Sequence, residues 1–113
     1  MSDSDPIKLF SYLIEQVNKR AIAYIHAIEP RASLAGGSDE VVSEAPSTSK
    51  LFKKLFTNSW ISPFGYKPES AKKVIESGEA DAIAFGWYFI SNPDLPKRIK
   101  ENIPLQDYNR TTF

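Results

Sequence analysis

The chain has 113 residues, enough for one small domain, and its 14 basic and 14 acidic side chains give a formal net charge of zero. No charged block stands out, so neither nucleic acid nor an anionic membrane is favoured as a partner. The chain has no cysteine, which excludes disulfides and thiolate chemistry. No apolar run approaches the roughly 18 residues of a membrane span, and the polar start Met1–Pro6 lacks a signal-peptide pattern. We therefore expect a soluble cytoplasmic protein.

The first third of the chain predicts a helix followed by a strand. Asp5 and Pro6 suit the N-cap and first position of a helix. Apolar residues then recur at spacings of three and four, which is typical of a helix packed on a sheet: Ile7, Phe10, Leu13, Ile14 and Val17. Residues 21–28 are almost continuously apolar, as expected of a parallel strand covered on both faces.

The end of this strand carries two charges. Strand alternation places Glu29 and Arg31 on one face and His26 on the other. A structural ion pair involving Glu29 and Arg31 is the simplest interpretation of the spacing. His26 is the only histidine, and its face points away from the strand's carboxyl end, so a packing role is favoured over a catalytic one.

The middle of the chain predicts a long loop and two further helices around a strand. Residues 32–48 are small and polar, with a Gly-Gly step. A helix over 50–56 follows, capped by Ser47 or Ser49, with four residues on its buried side: Leu51, Phe52, Leu55 and Phe56. Residues 60–62 predict the second strand. Pro68 opens the next helix, which turns Ala71, Val74 and Ile75 inward and ends at Ser77-Gly78.

The last apolar run, residues 82–85, predicts a third buried strand that ends at Gly86. Asn92, Pro93 and Asp94 predict the start of a final helix, with Asn92 as its N-cap. The alternation of helices and strands indicates an α/β fold with parallel strands, whose ligands bind at the carboxyl ends of the strands. Four aromatic residues are expected to belong mainly to the core: Trp60, Trp87, Tyr88 and Phe89.

Three segments, in order, resemble the old yellow enzymes, the FMN-dependent ene-reductases. They are residues 24–31 (YIHAIEPR), 80–98 (ADAIAFGWYFISNPDLPKR) and 103–113 (IPLQDYNRTTF). The resemblance implies that residues 1–113 are the C-terminal part of an FMN-binding (β/α)8 TIM barrel, with about three parallel strands and covering helices. A complete barrel typically needs roughly 250 residues. The resemblance also implies FMN as cofactor, NAD(P)H as reductant, a small enone as substrate, and a position of loop 32–48 on the active-site side.

The resemblance further implies a set of cofactor-binding residues. Arg31 would lie against the flavin and stabilise negative charge at its N1/O2 edge, a task that suits a permanently cationic group. The FMN phosphate would sit between the ends of the last two strands, near the backbone of Gly65 and of Gly86. Trp87 would follow at the same edge.

Two departures from the family pattern predict a degraded phosphate site. Pro63-Phe64-Gly65 stands where the family has Ala-Gly-Gly or Ala-Gly-Asn, and Gly86-Trp87 stands where it has Gly-Arg. Pro63 has no N–H, and Phe64 brings a side chain to the place where the backbone should approach the phosphate. Trp87 offers one indole donor in place of a guanidinium.

Two functions stay open at this level. One is an old yellow enzyme-type NAD(P)H oxidoreductase, here truncated and not active alone, because the family's substrate-binding pair and tyrosine proton donor belong to a segment before Met1. The other is a non-enzymatic remnant or gene-model fragment that binds no flavin. No catalytic residue and no metal site is assigned. Three parallel strands leave open edges and an uncovered inner face, which predicts self-association or dependence on a partner fragment.

Overall fold

A computed structural model describes residues 4–29, 46–63 and 65–112. The helices and strands are α1 (Pro6–Asn18), β1 (Tyr24–His26), α2 (Thr48–Phe52), β2 (Ser59–Pro63), α3 (Pro68–Glu76), β3 (Ala82–Ala84), α4 (Trp87–Ser91) and α5 (Leu95–Glu101), with 3-10 turns at Lys53–Leu55 and Arg110–Thr112. The three strands form one parallel sheet in the order β1-β2-β3, so the predicted parallel α/β arrangement is confirmed. None of the described helices combines the length and the apolar composition of a membrane-spanning segment.

The hydrophobic core lies between one face of this sheet and the helices. Its buried members are Ile14, Phe52, Phe56, Trp60 and Ala80, with Trp60 only 1% exposed. Trp60 is paired with Ile25 across β1 and β2, so both side chains point to the helical side of the sheet. The prediction that Trp60 is a core residue is therefore confirmed.

Helix α1 begins as predicted but buries less than predicted. The Asp5 carboxylate accepts a hydrogen bond from the Lys8 N–H at 3.0 Å, and Pro6 is the first helical residue. In the apolar stripe, however, Ile14 is buried while Ile7, Phe10 and Leu13 are about half exposed. The elements packed on α1 are α2 and the turn after it, and both are short. They bury Ile14, whereas Phe10 makes a tilted ring contact with Phe52 at 6.2 Å and stays half exposed.

The first strand confirms the predicted alternation and corrects two other predictions. Ile25 and Ala27 pack against the core and Glu29 is buried, whereas Tyr24, His26 and Ile28 are exposed. The predicted coverage of both faces is therefore wrong for the described residues, and so is the packing role predicted for His26. The strand is also shorter than the predicted residues 21–28, since it covers only Tyr24–His26. Ala21 has a left-handed φ of 50°, which is incompatible with strand geometry at that residue.

The helices after β1 differ from the prediction in their limits. Ser47 is the N-cap of α2 and accepts a hydrogen bond from the Lys50 N–H at 3.3 Å, as one of the two predicted caps. The predicted helix over 50–56 is divided, because α2 ends at Phe52 and a 3-10 turn continues to Leu55. In α3, Ala71 is buried as predicted, but Ile75 is 41% exposed.

The region after β3 holds the largest correction. Residues 87–91 form a helix, α4, that the sequence did not predict, and α5 begins at Leu95. Asn92 is fully buried and is not the N-cap of the final helix, since Asp94 holds that position in α5 and Asn92 is the C-cap of α4. Its side-chain amide donates to the backbone carbonyls of Tyr88 and Gln106 and accepts from the Gln106 N–H at 2.7 Å. Asn92 thus joins the C-terminal tail to the end of α4, which is why its side chain is not available as the N-cap of α5.

Candidate functional site

The predicted phosphate site lies at the carboxyl ends of β2 and β3. These strands are adjacent and parallel, and Pro63 pairs with Ala84 at their ends. Gly65 and Gly86 each follow two residues after this pair. The structure therefore brings the two glycines, and Trp87 beside Gly86, to the same edge of the sheet. This is the edge at which α/β folds bind their ligands.

The two glycines have different backbone geometry. Gly65 has a φ of 69°, in the left-handed region that glycine adopts without a steric penalty. Turns with a left-handed residue can turn successive backbone N–H groups toward one anion. Gly86 has an ordinary negative φ of −95°, and a Cβ added there would meet no atom within 4 Å. Apart from its chain neighbours, no described residue occupies the direction that a side chain at position 86 would take, so this side of Gly86 is open to a ligand.

Trp87 is built into an aromatic cluster. It is the first residue of α4 and is half-buried. Its ring lies 5.3 Å from the Tyr108 ring, and Tyr108 meets Tyr88 edge-on at 5.4 Å. Trp87 and Tyr88 therefore pack at the surface of the strand ends, not in the main core, and Phe89 is 45% exposed. The core placement predicted for these three aromatic residues is wrong.

The backbone of this site suits a phosphate, whereas its described side chains do not. Gly65 and Gly86 offer amides that can approach closely, but Pro63 has no N–H and Trp87 carries no charge. A phosphate is usually held by a bidentate cation as well as by backbone donors. Arg31, the predicted flavin contact, lies outside the described residues, as do Phe64 and all but the last three residues of loop 32–48. No group of three potential metal ligands occurs within the described parts of the chain.

A buried polar network lies next to this site, and sequence reasoning did not find it. Glu29 is only 1% exposed and accepts three hydrogen bonds: from the Thr48 N–H at 2.9 Å, from the Thr48 hydroxyl at 2.9 Å and from the Ser62 hydroxyl at 2.7 Å. The Ser62 hydroxyl also lies 3.0 Å from the Tyr66 hydroxyl. The only available signal was the alternation that placed Glu29 on the core face, since its partners are distant in the sequence. The predicted ion pair with Arg31 involves an undescribed residue and stays a prediction.

A second polar junction lies at the opposite, amino end of the sheet. One Asp81 oxygen accepts a hydrogen bond from the Trp60 N–H at 2.8 Å, and the other accepts from the Lys53 ammonium at 3.1 Å. The Trp60 N–H, followed by Lys53, lowers the pKa of the Asp81 carboxyl below its usual range. The junction ties β2 to the start of β3 and is structural.

Lysines line a groove at that same end. We refer to Ser49, Lys50, Lys53, Lys54, Ser77, Gly78 and Glu79 as the lysine groove. Lys53 also donates to the Gly78 carbonyl at 2.7 Å, and Lys50 lies 3.7 Å from the Glu79 carboxylate. These contacts partly neutralise the groove, and its position before β3 separates it from the glycine edge.

A family model and curated relatives point to the same family of proteins. The model of the NADH:flavin oxidoreductase / NADH oxidase family matches residues 2–106. Putative 12-oxophytodienoate reductase 4 of Oryza sativa subsp. japonica is 43% identical over 112 residues, which are 98% of this chain and 28% of that protein. 12-Oxophytodienoate reductase 2 of Arabidopsis thaliana is 36% identical over 111 residues, which are 98% of this chain and 29% of that protein.

Solved structures give the same result for the fold. The old yellow enzyme from Trypanosoma cruzi superposes with a TM-score of 0.81 at 29% identity, covering 99% of this chain and 28% of that one. Morphinone reductase superposes with a TM-score of 0.79 at 30% identity, covering 98% of this chain and 28% of that one. The chain thus spans less than a third of the length of these relatives, and its three parallel strands with their helices form part of a TIM barrel of the old yellow enzyme type. Because the family model covers residues 2–106, the chain belongs to the NADH:flavin oxidoreductase / NADH oxidase family.

Proposed function

We propose that the chain supplies the flavin-phosphate end of an FMN-dependent NAD(P)H oxidoreductase of the old yellow enzyme type, an ene-reductase that acts on activated C=C bonds. The observation that carries the proposal is the placement of Gly65 and Gly86 just beyond the paired ends of two parallel strands. Relatives named as reductases support reduction as the type of reaction. FMN, when bound, supplies the hydride chemistry, while the residues of this chain bind and orient it.

Within this proposal, the backbones of Gly65 and Gly86 approach the phosphate, and Trp87 takes the place of an arginine. Arg31 would hold the flavin ring, as the family resemblance implies. The absence of one charged hydrogen bond at Trp87 weakens phosphate binding by roughly 1.5–3 kcal/mol. The phosphate site is therefore weak in this chain.

We further propose that the chain does not catalyse the reduction alone. Its single histidine, His26, lies exposed on the face of β1 away from the core. At the glycine edge, the Tyr66 hydroxyl is buried and hydrogen-bonded to Ser62, so it is not free to deliver a proton to a substrate. Steady consumption of NADPH by the purified chain with FMN and an enone would contradict this part of the proposal.

Flavin titration of the Trp87→Arg variant tests the phosphate site. Added guanidinium charge should tighten FMN binding by roughly 10- to 100-fold and leave riboflavin binding unchanged, since riboflavin lacks the phosphate. A Tyr12→Arg variant is the matched control. Tyr12 is 63% exposed on α1, so this substitution adds the same charge away from the glycine edge. Equal FMN affinities in the parent and in Trp87→Arg would count against the proposal and favour the alternative, a remnant that binds no flavin.

The uncovered sheet face supports a proposal about assembly. Tyr24, His26 and Ile28 are exposed on one face of β1, and in the described sheet β1 and β3 are edge strands. We propose that the chain associates through these open strand edges, with itself or with the remaining part of a barrel. Size-exclusion chromatography should then give an apparent mass above 12.7 kDa. A cooperative, flavin-free monomer would contradict this.

A further inference from the structure

We infer that Glu29, acting through Ser62 and Tyr66, positions the turn that carries Gly65 and thereby sets the affinity for the phosphate without touching it. The inference rests on the proposed function, since it concerns the same edge of the sheet. Glu29 is a buried carboxylate that belongs neither to the hydrophobic core nor to the proposed phosphate contacts.

The network joins three separate segments of the chain. Glu29 connects the residues after β1 to the first residue of α2, because its carboxylate accepts hydrogen bonds from both the N–H and the hydroxyl of Thr48. It also binds Ser62, which lies next to the last residue of β2. Ser62 in turn binds Tyr66, which lies directly after Gly65. The hydrogen bond between Ser62 and Tyr66 therefore spans the turn from one side to the other.

The chemistry of the groups fixes the direction of these hydrogen bonds. A serine hydroxyl has one proton and two lone pairs, and a carboxylate only accepts. Since Ser62 donates its proton to Glu29, it must accept from the Tyr66 hydroxyl. The order is therefore Tyr66 to Ser62 to Glu29, with the charged acceptor at the end, where hydrogen bonds are strongest.

Burial makes this arrangement selective for one geometry of the turn. Glu29, Ser62 and Tyr66 are 1%, 0% and 8% exposed, so water does not readily replace a lost partner. Gly65 between the two anchored residues is exposed and has the left-handed φ of 69°. The buried anchors hold both ends of the turn while the backbone of Gly65 faces outward, which is the preorganisation that an anion site needs.

The Tyr66→Phe variant tests the inference, because it removes only the hydroxyl. We expect the N–H order parameter of Gly65, measured by nitrogen-15 NMR relaxation, to fall. That of Gly78, a left-handed glycine after α3 with a φ of 73°, should stay unchanged. In the Trp87→Arg background, the preference for FMN over riboflavin should fall about two- to tenfold, as expected for one net hydrogen bond. The Tyr12→Phe variant is the control for loss of an exposed hydroxyl.

The outcomes separate this inference from the proposed function. If the Trp87→Arg chain shows no preference for FMN, the proposed phosphate site fails, and the order parameter of Gly65 still tests the positioning role. If the FMN preference exists but Tyr66→Phe leaves it and the order of Gly65 unchanged, the positioning role is wrong while the phosphate site stands. Equal loss of order at Gly65 and Gly78 would mean that the hydroxyl serves the fold as a whole, and would also overturn the inference.

Discussion

Replacing Glu29 by alanine should destabilise the fold more than any other single truncation of a polar side chain at the glycine edge. The carboxylate accepts three hydrogen bonds, and its loss leaves their donors on Thr48 and Ser62 without that acceptor. Ser62 is fully buried, whereas Thr48 is half-buried and can gain water. The two residues therefore contribute unequally to the cost.

The size of the effect follows from these contacts. A hydrogen bond to a charged group contributes about 1.5–3 kcal/mol to stability. We assign a value near the middle of that range to the bond from the fully buried Ser62 hydroxyl to the Glu29 carboxylate. The half-buried Thr48 donors add about 1 kcal/mol together, and relief of the buried charge offsets a part. We expect the free energy of unfolding to fall by about 3 kcal/mol, against a typical total of about 5–15 kcal/mol for a whole domain.

Glu29→Gln is the matched control. Its amide oxygen can accept from the Thr48 N–H, and its NH2 group can donate to the hydroxyls of Thr48 and Ser62, so Ser62 turns its own proton toward Tyr66. The Tyr66 proton and the Thr48 hydroxyl proton then lose their acceptors. Thr48 is half-buried and its proton can turn to water, so the cost should be about 1 kcal/mol, mainly from Tyr66.

The assay is urea unfolding followed by the fluorescence of the chain's tryptophans, of which Trp60 is buried in the core, at one fixed protein concentration because association shifts apparent stability. A Glu29→Ala variant within about 0.5 kcal/mol of the parent would refute the reasoning. So would a Glu29→Gln variant as unstable as Glu29→Ala, since the acceptor geometry would then not explain the loss.

Two further predictions concern the other polar junctions. Asp81→Asn should lower the free energy of unfolding at pH 7 by about 1 kcal/mol, a modest value because the side chain is 44% exposed. The pKa of Asp81 is lowered in the folded state, so its stabilisation is present above the unfolded value of about 3.9 and is lost as the pH falls through the folded value. Parent and Asp81→Asn should therefore converge in unfolding experiments as the pH falls through the lowered pKa of Asp81, and a gap that stays constant from pH 7 downward would contradict this. Asn92→Ala should release the tail from α4, because the fully buried amide loses its bonds to Tyr88 and Gln106, and proteolysis should then cut the tail first. An unchanged cleavage pattern would contradict that role.

The sequence predicted the parallel sheet because its signals are local. Each strand is a short apolar run, each is followed by a helix, and the alternation permits only parallel pairing with crossovers. The cap at Asp5 was predicted for the same reason, since Lys8 is its neighbour on the first turn. Burial was predicted less well, because an apolar stripe such as that of α1 says which face is apolar and not what covers it.

The details of the site depended on contacts between distant residues. Thr48 and Ser62 lie 19 and 33 residues from Glu29, and no local pattern links them. Asn92 looked like a helix cap because Pro93 and Asp94 follow it, but a partner 14 residues later uses its side chain. Gly65 and Gly86 were identified through the family resemblance. Their common edge follows from the pairing of Pro63 with Ala84, which sequence alone could only suggest.

The central claim is that a phosphate binds between Gly65 and Gly86, and amide chemical-shift mapping during addition of FMN to the Trp87→Arg chain tests it most directly. The account predicts that the amides of Gly65 and Gly86 shift most and saturate together, and that the same titration of the parent needs higher FMN concentrations. Shifts concentrated in the lysine groove, with both glycine amides unmoved, would contradict it.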